Sequence, residues 1–370
     1  MQNLKRLNGL PLNKKFRYLS NAVSGEILRT RTVSAFGMRL VEISLTDRCQ
    51  CRCGHCFAAT QQPLPENEEL TTAQVKMLID DLAEMGITEV CFSGGEPLLR
   101  RDILELVSYA HEKHLVARLI TNGILLDERM VVDLKRAGLS WCSISIDSPK
   151  PAVHDSFRRY PGCFEKAVAG FKMLIKHKVA CSIIAVARRE LIWSGELEEI
   201  VNLGREIGVT VVRINFPVPI GRFINQQNQT LNLEERTEVR KLLRYGNVTM
   251  ESPSEGTKCT AAVTKVNILP NGNVTPCVFV PLSYGNIRER RFAEIWKSMA
   301  EYNTQYKVNG KCPMCDSVLN DRIFRAEEER KAPETPVIAI RTQEQVYSSC
   351  KSAFGRPQVR QGVDTKKAAF

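Results

Sequence analysis

Within the stretch Leu45 to Phe57, LTDRCQCRCGHCF, three cysteines stand in the spacing Cys-x3-Cys-x2-Cys: Cys49, Cys53 and Cys56. Thiolates this close together are ligands for a soft or borderline metal. Four cysteines close a [4Fe-4S] cubane and suit it to electron transfer, whereas three leave one iron able to take a further ligand. Structural zinc is the competing reading, since it takes four tetrahedral ligands and Cys51 would complete that number. Cys51 also makes the register ambiguous, because it lies midway between Cys49 and Cys53. Spacing alone leaves both readings open.

A second set lies far downstream. Cys259, Cys277, Cys312 and Cys315 form two half-sites that end in a Cys-x2-Cys pair. Four thiolates complete one cluster with no iron open, and a split four-cysteine zinc site has the same pattern. Seven of the 13 cysteines thus fall into ligand-like groups. Of the others, Cys91, Cys142 and Cys181 sit in strand-like runs and Cys163 opens a helix, so they read as small core residues.

The elements that must hold these groups alternate regularly. Strand-like runs occur at Arg39 to Leu45, Glu89 to Ser93, Val116 to Thr121, Trp141 to Ile146, Ala180 to Val186 and Val209 to Phe216, with helical patterns between them. Thr71 with Gln74 makes a capping box, followed at helical spacing by Val75, Leu78, Ile79, Leu82 and Met85 until Gly86. Ile103, Leu106, Val107 and Ala110 repeat the pattern, as do Met130, Leu134 and Ala137 before Gly138. Six βα units imply parallel strands with right-handed crossovers. Six are too few for a closed eight-stranded barrel, so the expected fold is α/β, a partial (β/α)6 TIM-like barrel with a small C-terminal α+β cluster-binding domain. Ligands of such folds collect at the C-terminal strand ends, which is where the first cysteine motif lies.

This reading divides the chain into a basic extension over 1–38 with an amphipathic helix from Phe16 to Thr30, the barrel over 39–222, and a linker over 223–257 with a short helix around Thr237 to Leu243. The cluster domain follows over 258–330 and a basic tail over 331–370. In the cluster domain, KVNILPNGNVTPC is a hairpin signal in which Asn271-Gly272 supplies positive φ angles.

Composition narrows the function. The 370 residues carry a net charge of +11, but residues 1–38 hold seven Lys and Arg against Glu26, and residues 331–370 hold seven against three acids. The body is therefore nearly neutral, which makes nucleic-acid binding unlikely as a role for it. No apolar run is long enough to span a bilayer and the N-terminus lacks a signal-peptide core, so a cytoplasmic location with no membrane span is expected. In a reducing compartment, cysteines are metal ligands rather than disulfide partners.

The strand Val90 to Ser93 runs into Gly94-Gly95-Glu96-Pro97, so this turn directly follows the second strand of a βα series whose first strand ends in the cysteine triad. With TNG at Thr121 to Gly123, SIDSPKPAVHDSFR at Ser145 to Arg158 and PVPIGR at Pro217 to Arg222, residues 39–222 resemble the radical S-adenosylmethionine (radical SAM) enzymes. The resemblance implies that Cys49, Cys53 and Cys56 bind a [4Fe-4S] cluster with S-adenosylmethionine (SAM). It places Gly94, Gly95 and Glu96 at the methionyl end of SAM, Asn122 and Ser145 near ribose and carboxylate, Arg158 near the carboxylate, and His55 near the adenine through its backbone. Cys51 departs from the family, which commonly carries an apolar residue there.

GNVTPC, YGNI and EIW around the second cysteine set resemble the SPASM and twitch auxiliary-cluster domains of the same enzymes, which favours an auxiliary [4Fe-4S] cluster over zinc. The long form carries further cysteines for a second auxiliary cluster; here only Cys350 remains, so one cluster and the shorter twitch form are expected. Val278 stands where sulfatase-maturing relatives place an aspartate, which disfavours that activity.

The activity implied is a radical SAM oxidoreductase. It would reductively cleave SAM to a 5'-deoxyadenosyl radical, remove hydrogen from a substrate and pass an electron to the auxiliary cluster. Reduced flavodoxin or ferredoxin is the expected donor. A peptide or protein is the favoured substrate, a small metabolite such as an amino sugar or nucleoside the alternative, and a non-catalytic iron-sulfur or zinc protein the third reading. Arg188, Asn215 and Arg222 are candidate substrate contacts by position.

Overall fold

The computed structural model describes residues 38–58, 64–223, 230–250, 259–299, 312–315 and 323. The helix expected from Phe16 to Thr30, the basic tail and Cys350 lie outside them. Six parallel strands come first: β1 (Leu40–Ser44), β2 (Glu89–Ser93), β3 (Val116–Thr121), β4 (Trp141–Ser145), β5 (Ala180–Val186) and β6 (Val211–Asn215). They are the six that the sequence pattern predicts, each within two residues of the expected ends. Three more strands follow: β7 (Val248–Met250), β8 (Lys265–Ile268) and β9 (Val274–Thr275).

All nine form one sheet in the order β7-β6-β5-β4-β3-β2-β1-β8-β9, with only β8 and β9 antiparallel. The sheet does not close, so the molecule is an open partial barrel. β7 was not expected; three residues are too few for a periodic signal. β8 pairs in parallel with β1, Glu42 opposite Asn267, so the hairpin from the second cysteine region extends the same sheet that carries the first.

The two sheet faces differ. Val41, Ile43, Val90, Phe92, Ala117, Leu119, Cys142, Ile144 and Ile183 are buried with the helices in one apolar core. Helices α1 (Thr72–Glu84), α2 (Ile103–Glu112), α3 (Glu128–Arg136), α4 (Pro151–Arg158), α5 (Cys163–Lys176), α6 (Arg189–Trp193) and α7 (Glu196–Ile207) cover it. The Thr71–Gln74 capping box closes on α1 as expected, and its Val75, Leu78, Ile79 and Leu82 are buried, each contributing about 1.5–3 kcal/mol. On α3 the fully buried stripe is Val131 and Leu134, with Met130 and Ala137 at its margin. The opposite sheet face is polar. Ser93 Oγ donates to Glu42 Oε1 at 2.8 Å, Arg118 pairs with Glu89 at 2.8 Å, and Trp141 Nε1 donates to Ser182 Oγ at 3.0 Å.

Two local expectations are corrected. Helix α8 (Leu233–Lys241) starts earlier than expected, because Asn232 and Glu235 form a capping box there. In the β8–β9 hairpin only Gly272 has positive φ, at 92°. Gly272 N bonds Leu269 O at 2.8 Å, closing a turn with Pro270 in its second position, so the two-residue turn is replaced by a longer one. Helix α9 (Phe292–Ser298) follows and packs on α1.

The join between β1 and β8 includes an ion pair, Lys265 Nζ to Glu42 Oε2 at 2.7 Å, in which Glu42 is buried and Lys265 about a quarter exposed. Removing one partner of a largely buried pair strands the other charge. Glu42→Ala is expected to lower unfolding free energy by about 2–3 kcal/mol, below the fully buried figure because water reaches Lys265. Urea denaturation of the purified protein measures this, and a double variant that also carries Lys265→Met should recover part of the loss.

Candidate active site

The cysteine loop after β1 has no repeating hydrogen bonds of its own, and neighbouring strand tips supply them. Arg52 N donates to Arg158 O at 3.0 Å and Gly54 N to Phe157 O at 3.1 Å, so the C-terminal carbonyls of α4 hold its middle. Arg222 N donates to Cys56 O at 3.1 Å, and Arg222 Nη1 to Cys53 O at 2.9 Å. Arg222, singled out as a substrate contact, thus lies on the cysteine loop itself. Gly221, at φ 59°, lets that approach happen, since a Cβ there would stand 2.2 Å from Cys56 O.

The GGEP turn meets the same loop from the other side. Gly95 N bonds Thr46 O at 2.6 Å and Glu96 N bonds Arg48 O at 2.8 Å. A Cβ on Gly94 would lie 2.5 Å from Thr46 O, and one on Gly95 2.4 Å from Arg48 O. The glycines therefore allow two protein backbones to touch. Glu96 is fully buried, with Oε1 accepting from Thr121 Oγ1 (2.8 Å) and Leu98 N (3.1 Å) and Oε2 from Asn122 N (2.8 Å). Burial pushes its carboxyl up to about 7 despite these donors. Asn122 in turn reaches Cys49 Sγ with Nδ2 at 3.8 Å. Ser145 ends β4, half-buried, on the polar sheet face.

Asp147, which the sequence reading left out although it stands in SIDSPK, is the electrostatic hub. Its Oδ2 accepts from Arg158 Nε at 2.8 Å, its Oδ1 faces His55 Nε2 at 3.7 Å, and its carbonyl accepts from Arg188 Nη2 at 2.9 Å. Burial raises its pKa, but His55, Arg158, His154 and Arg188 outweigh burial and hold it at about 2. His55 stacks on Phe157 with centroids 5.1 Å apart, and Arg188 lies over the other contact of that ring at 4.0 Å. Burial lowers the His55 pKa, and the Asp147 carboxylate opposes that shift.

The donor set fits a cluster. Hydrogen bonding from Cys51 holds the Cys49 thiol down at about 6 and lowers Cys53 also, with Arg158 assisting both. Burial pushes Cys56 up to about 11, and the nearby Cys53 and Cys49 charges add to it. In the second set, burial pushes Cys277 up to about 12 with Cys259 and Cys312 beside it, and Cys315 interacts with all three. Crowded thiols of this kind lose their protons to a metal. The sets are linked by an edge-on contact of Phe57, next to Cys56, with Phe279, two residues past Cys277, centroids 5.7 Å apart.

Residues 43–213 match the model of the radical SAM superfamily, and residues 259–317 match SPASM, an iron-sulfur cluster-binding domain. The AdoMet-dependent heme synthase of Oleidesulfovibrio alaskensis is 31% identical over 350 residues, 84% of this chain and 88% of that protein. The chain belongs to the radical SAM superfamily. PqqA peptide cyclase of Gluconobacter oxydans is 29% identical over 70% of this chain and 76% of that protein. Among solved structures, Streptococcus suis SuiB bound to its precursor peptide SuiA superposes with TM-score 0.66 at 16% identity, covering 92% of this chain and 86% of SuiB, which shows a shared fold. This radical SAM enzyme therefore takes SAM with a [4Fe-4S] cluster and carries a SPASM auxiliary iron-sulfur domain. The match is to the SPASM model, and the cysteines of the second set number four among the described residues. Among the described residues no helix is long and apolar enough to cross a membrane.

Two outcomes follow from this geometry. Gly95→Ala drives a methyl into the Arg48 carbonyl, and anaerobic reconstitution should give a markedly lower iron content than the natural protein, measured together with a lower melting temperature. The Asp147 pKa is depressed from its unfolded value of 3.8 to about 2, so its stabilisation is complete above pH 4 and lost as pH falls through 2. Denaturation of the iron-free protein should show stability dropping over that window, and Asp147→Asn, less stable by about 2–3 kcal/mol at pH 7, should show a flatter profile there.

Proposed function

We propose that this enzyme carries out a two-electron oxidation of a peptide, with Cys49, Cys53 and Cys56 holding the SAM-binding cluster and Cys259, Cys277, Cys312 and Cys315 holding the auxiliary one. The observation that carries the reading is that the three-thiolate loop follows β1 while the four-thiolate set flanks the β8–β9 hairpin, whose strand β8 pairs with β1, and that the two meet through Phe57 and Phe279. When bound, the first cluster and SAM supply a 5'-deoxyadenosyl radical that removes a hydrogen atom from the substrate. The chain's own part is positional. Asn122 and the Cys51 amide direct N–H groups at Cys49, Arg158 is held by Asp147 through Nε beside the cysteine loop, and Arg222 pins the Cys53 carbonyl. A closed second cluster near the substrate is suited to take the electron left after hydrogen removal, and reduced flavodoxin or ferredoxin to supply the first.

Support for a peptide comes from the strand tips. Arg188 Nε and Asn215 Oδ1 are buried and find no partner among the described residues, and Arg188 follows Ala187, whose N bonds Asn215 O at 2.8 Å. An unpaired donor and an unpaired acceptor at the ends of neighbouring strands β5 and β6 suit an amide. The likeness to PqqA peptide cyclase agrees with this. The likeness to a heme synthase over 88% of its length favours a second reading, a small metabolite of haem synthesis.

Anaerobically reconstituted protein with SAM and a strong reductant should release 5'-deoxyadenosine without added substrate; no release under several reductants would sink the catalytic reading. Iron should be about eight per chain and fall to about four in a Cys49→Ala/Cys53→Ala/Cys56→Ala variant. Zinc in the second site would overturn that assignment. Mass loss of about two hydrogens from a candidate precursor peptide, against conversion of an iron-porphyrin, separates the two substrates.

A further inference from the structure

The outer face of the cysteine loop is cationic. From Asp47 to Ala58 every residue is buried or half-buried except Arg52, which is exposed and stands between Cys51 and Cys53. Arg52 N donates to Arg158 O at 3.0 Å, so the next residue, Arg159, is rooted beside it, and Arg159 is exposed as well. Tyr160 follows, and Lys166 Nζ, from an exposed residue of α5, lies 5.6 Å from the centre of its ring.

The acids that could cancel these charges are occupied elsewhere. Asp155 is turned to the start of α5, where Oδ2 accepts from Gly162 N at 2.6 Å and Oδ1 from Phe164 N at 2.9 Å. Asp147 is buried with Arg158. Residues 59–63, which continue the loop, carry no charge, and the next acid, Glu66, pairs with Arg48 at 3.0 Å. Glu165 remains, exposed in the first turn of α5, against three cations. Among the described residues neither Arg52 nor Arg159 has an ion-pair partner. Exposed like charges set side by side do not stabilise a fold. They do attract an acidic surface and speed its encounter.

We infer that Arg52 and Arg159 form a docking point for an acidic electron-carrier protein, the reduced flavodoxin or ferredoxin of the proposed reaction. Cys49, Cys53 and Cys56 are only half-buried, so a carrier seated on Arg52 is separated from them by the loop alone. The two arginines steer the carrier to the face from which the first cysteine set is reached. The inference rests on the reading of that set as the ligands of a cluster that must be reduced.

The test is the binding of flavodoxin hydroquinone to the reconstituted full-length enzyme, measured by anaerobic biolayer interferometry at several ionic strengths, with reduced ferredoxin as the second carrier. Arg52→Gln and Arg159→Gly each remove one charge without adding bulk, and glycine suits the left-handed backbone of Arg159 at φ 54°. Lys178→Gly is the matched control, an exposed cation at φ 56° that lies two residues before β5 and therefore at the opposite end of the strands. For the natural protein Kd should rise steeply with salt. Each arginine variant should bind about three- to ten-fold more weakly at low salt, with a flatter salt dependence, and Lys178→Gly should match the natural protein. Arg159→Gly should also cleave SAM at the natural rate with dithionite and more slowly with flavodoxin. Equal affinities for the arginine variants and Lys178→Gly would overturn the proposal and assign the attraction to the basic ends of the chain. Binding of neither carrier by the natural protein would overturn it too, as would an equal loss of dithionite-driven and flavodoxin-driven cleavage in Arg159→Gly. No cleavage by the natural protein with dithionite is a separate failure, which sinks the enzymatic reading and the docking with it.

Discussion

A metal-binding loop must hold several thiolates in place while making no helix or strand, so its backbone donors and acceptors have to be satisfied from outside. In this enzyme much of the satisfaction is main chain to main chain. The loop from Arg48 to Cys56 is bonded to the GGEP turn at Thr46 and Arg48, to the end of α4 at Arg52 and Gly54, and to the loop after β6 at Cys56. The ends of three separate elements therefore agree on one loop conformation. Because these contacts are between backbones, they leave no room for a Cβ at Gly94, Gly95 or Gly221, and the glycines follow from that constraint. The rest of the barrel can be seen as the device that brings the three tips to one place.

Electrostatics acts on the same loop from below. Asp147 is buried and ionised, and four cationic or basic groups converge on it. A buried carboxylate tolerates ionisation only with such company. The consequence for the site is that Arg158, pinned by Asp147, stands in the field of the cysteines and favours their thiolate forms at Cys49 and Cys53. A second brace runs through Arg100. Its guanidinium is bidentate with Asp102 and also donates to Leu45 O at 3.2 Å and Leu70 O at 2.8 Å, the first of which directly follows β1. Leu70 N in turn bonds Pro270 O at 2.7 Å in the β8–β9 hairpin, so the brace reaches from the first cysteine loop to the auxiliary hairpin.

What the sequence made legible follows the strength of the local signal. β1 to β6 are apolar runs flanked by capped helices, and their period is unambiguous, as Thr71 with Gln74 shows. β7 is three residues long and carries no period, and Asn232 with Glu235 was a capping signal within a polar stretch that hid it. At the site, the cysteines and GGEP could be singled out because residue type announces chemistry. The partner of each could not, because Arg222 on Cys53 and Asp147 on Arg158 are contacts between strand tips far apart in the chain. Charge alone cannot tell a substrate contact from a loop clamp, and only the fold shows which of the two Arg222 is.

The placement of β8 has a larger consequence. Were the auxiliary domain joined only through the chain between β6 and β8, its separation from the barrel would be set by a linker and would vary with it. Instead Leu40, Val41, Glu42 and Ile43 are paired in register with Lys265, Val266, Asn267 and Ile268, and neighbouring strands keep a spacing of about 4.8 Å. A sheet register cannot slip by one residue without turning every side chain to the other face, which here would take Glu42 away from Lys265 and Ser44 away from Asn267. The separation of the two cysteine sets is therefore fixed by the same hydrogen bonds that fix the fold. The proposed oxidation, which removes a hydrogen atom at one cluster and an electron toward another, needs that distance held constant through turnover, and a shared sheet holds it without depending on the loops that cross between them.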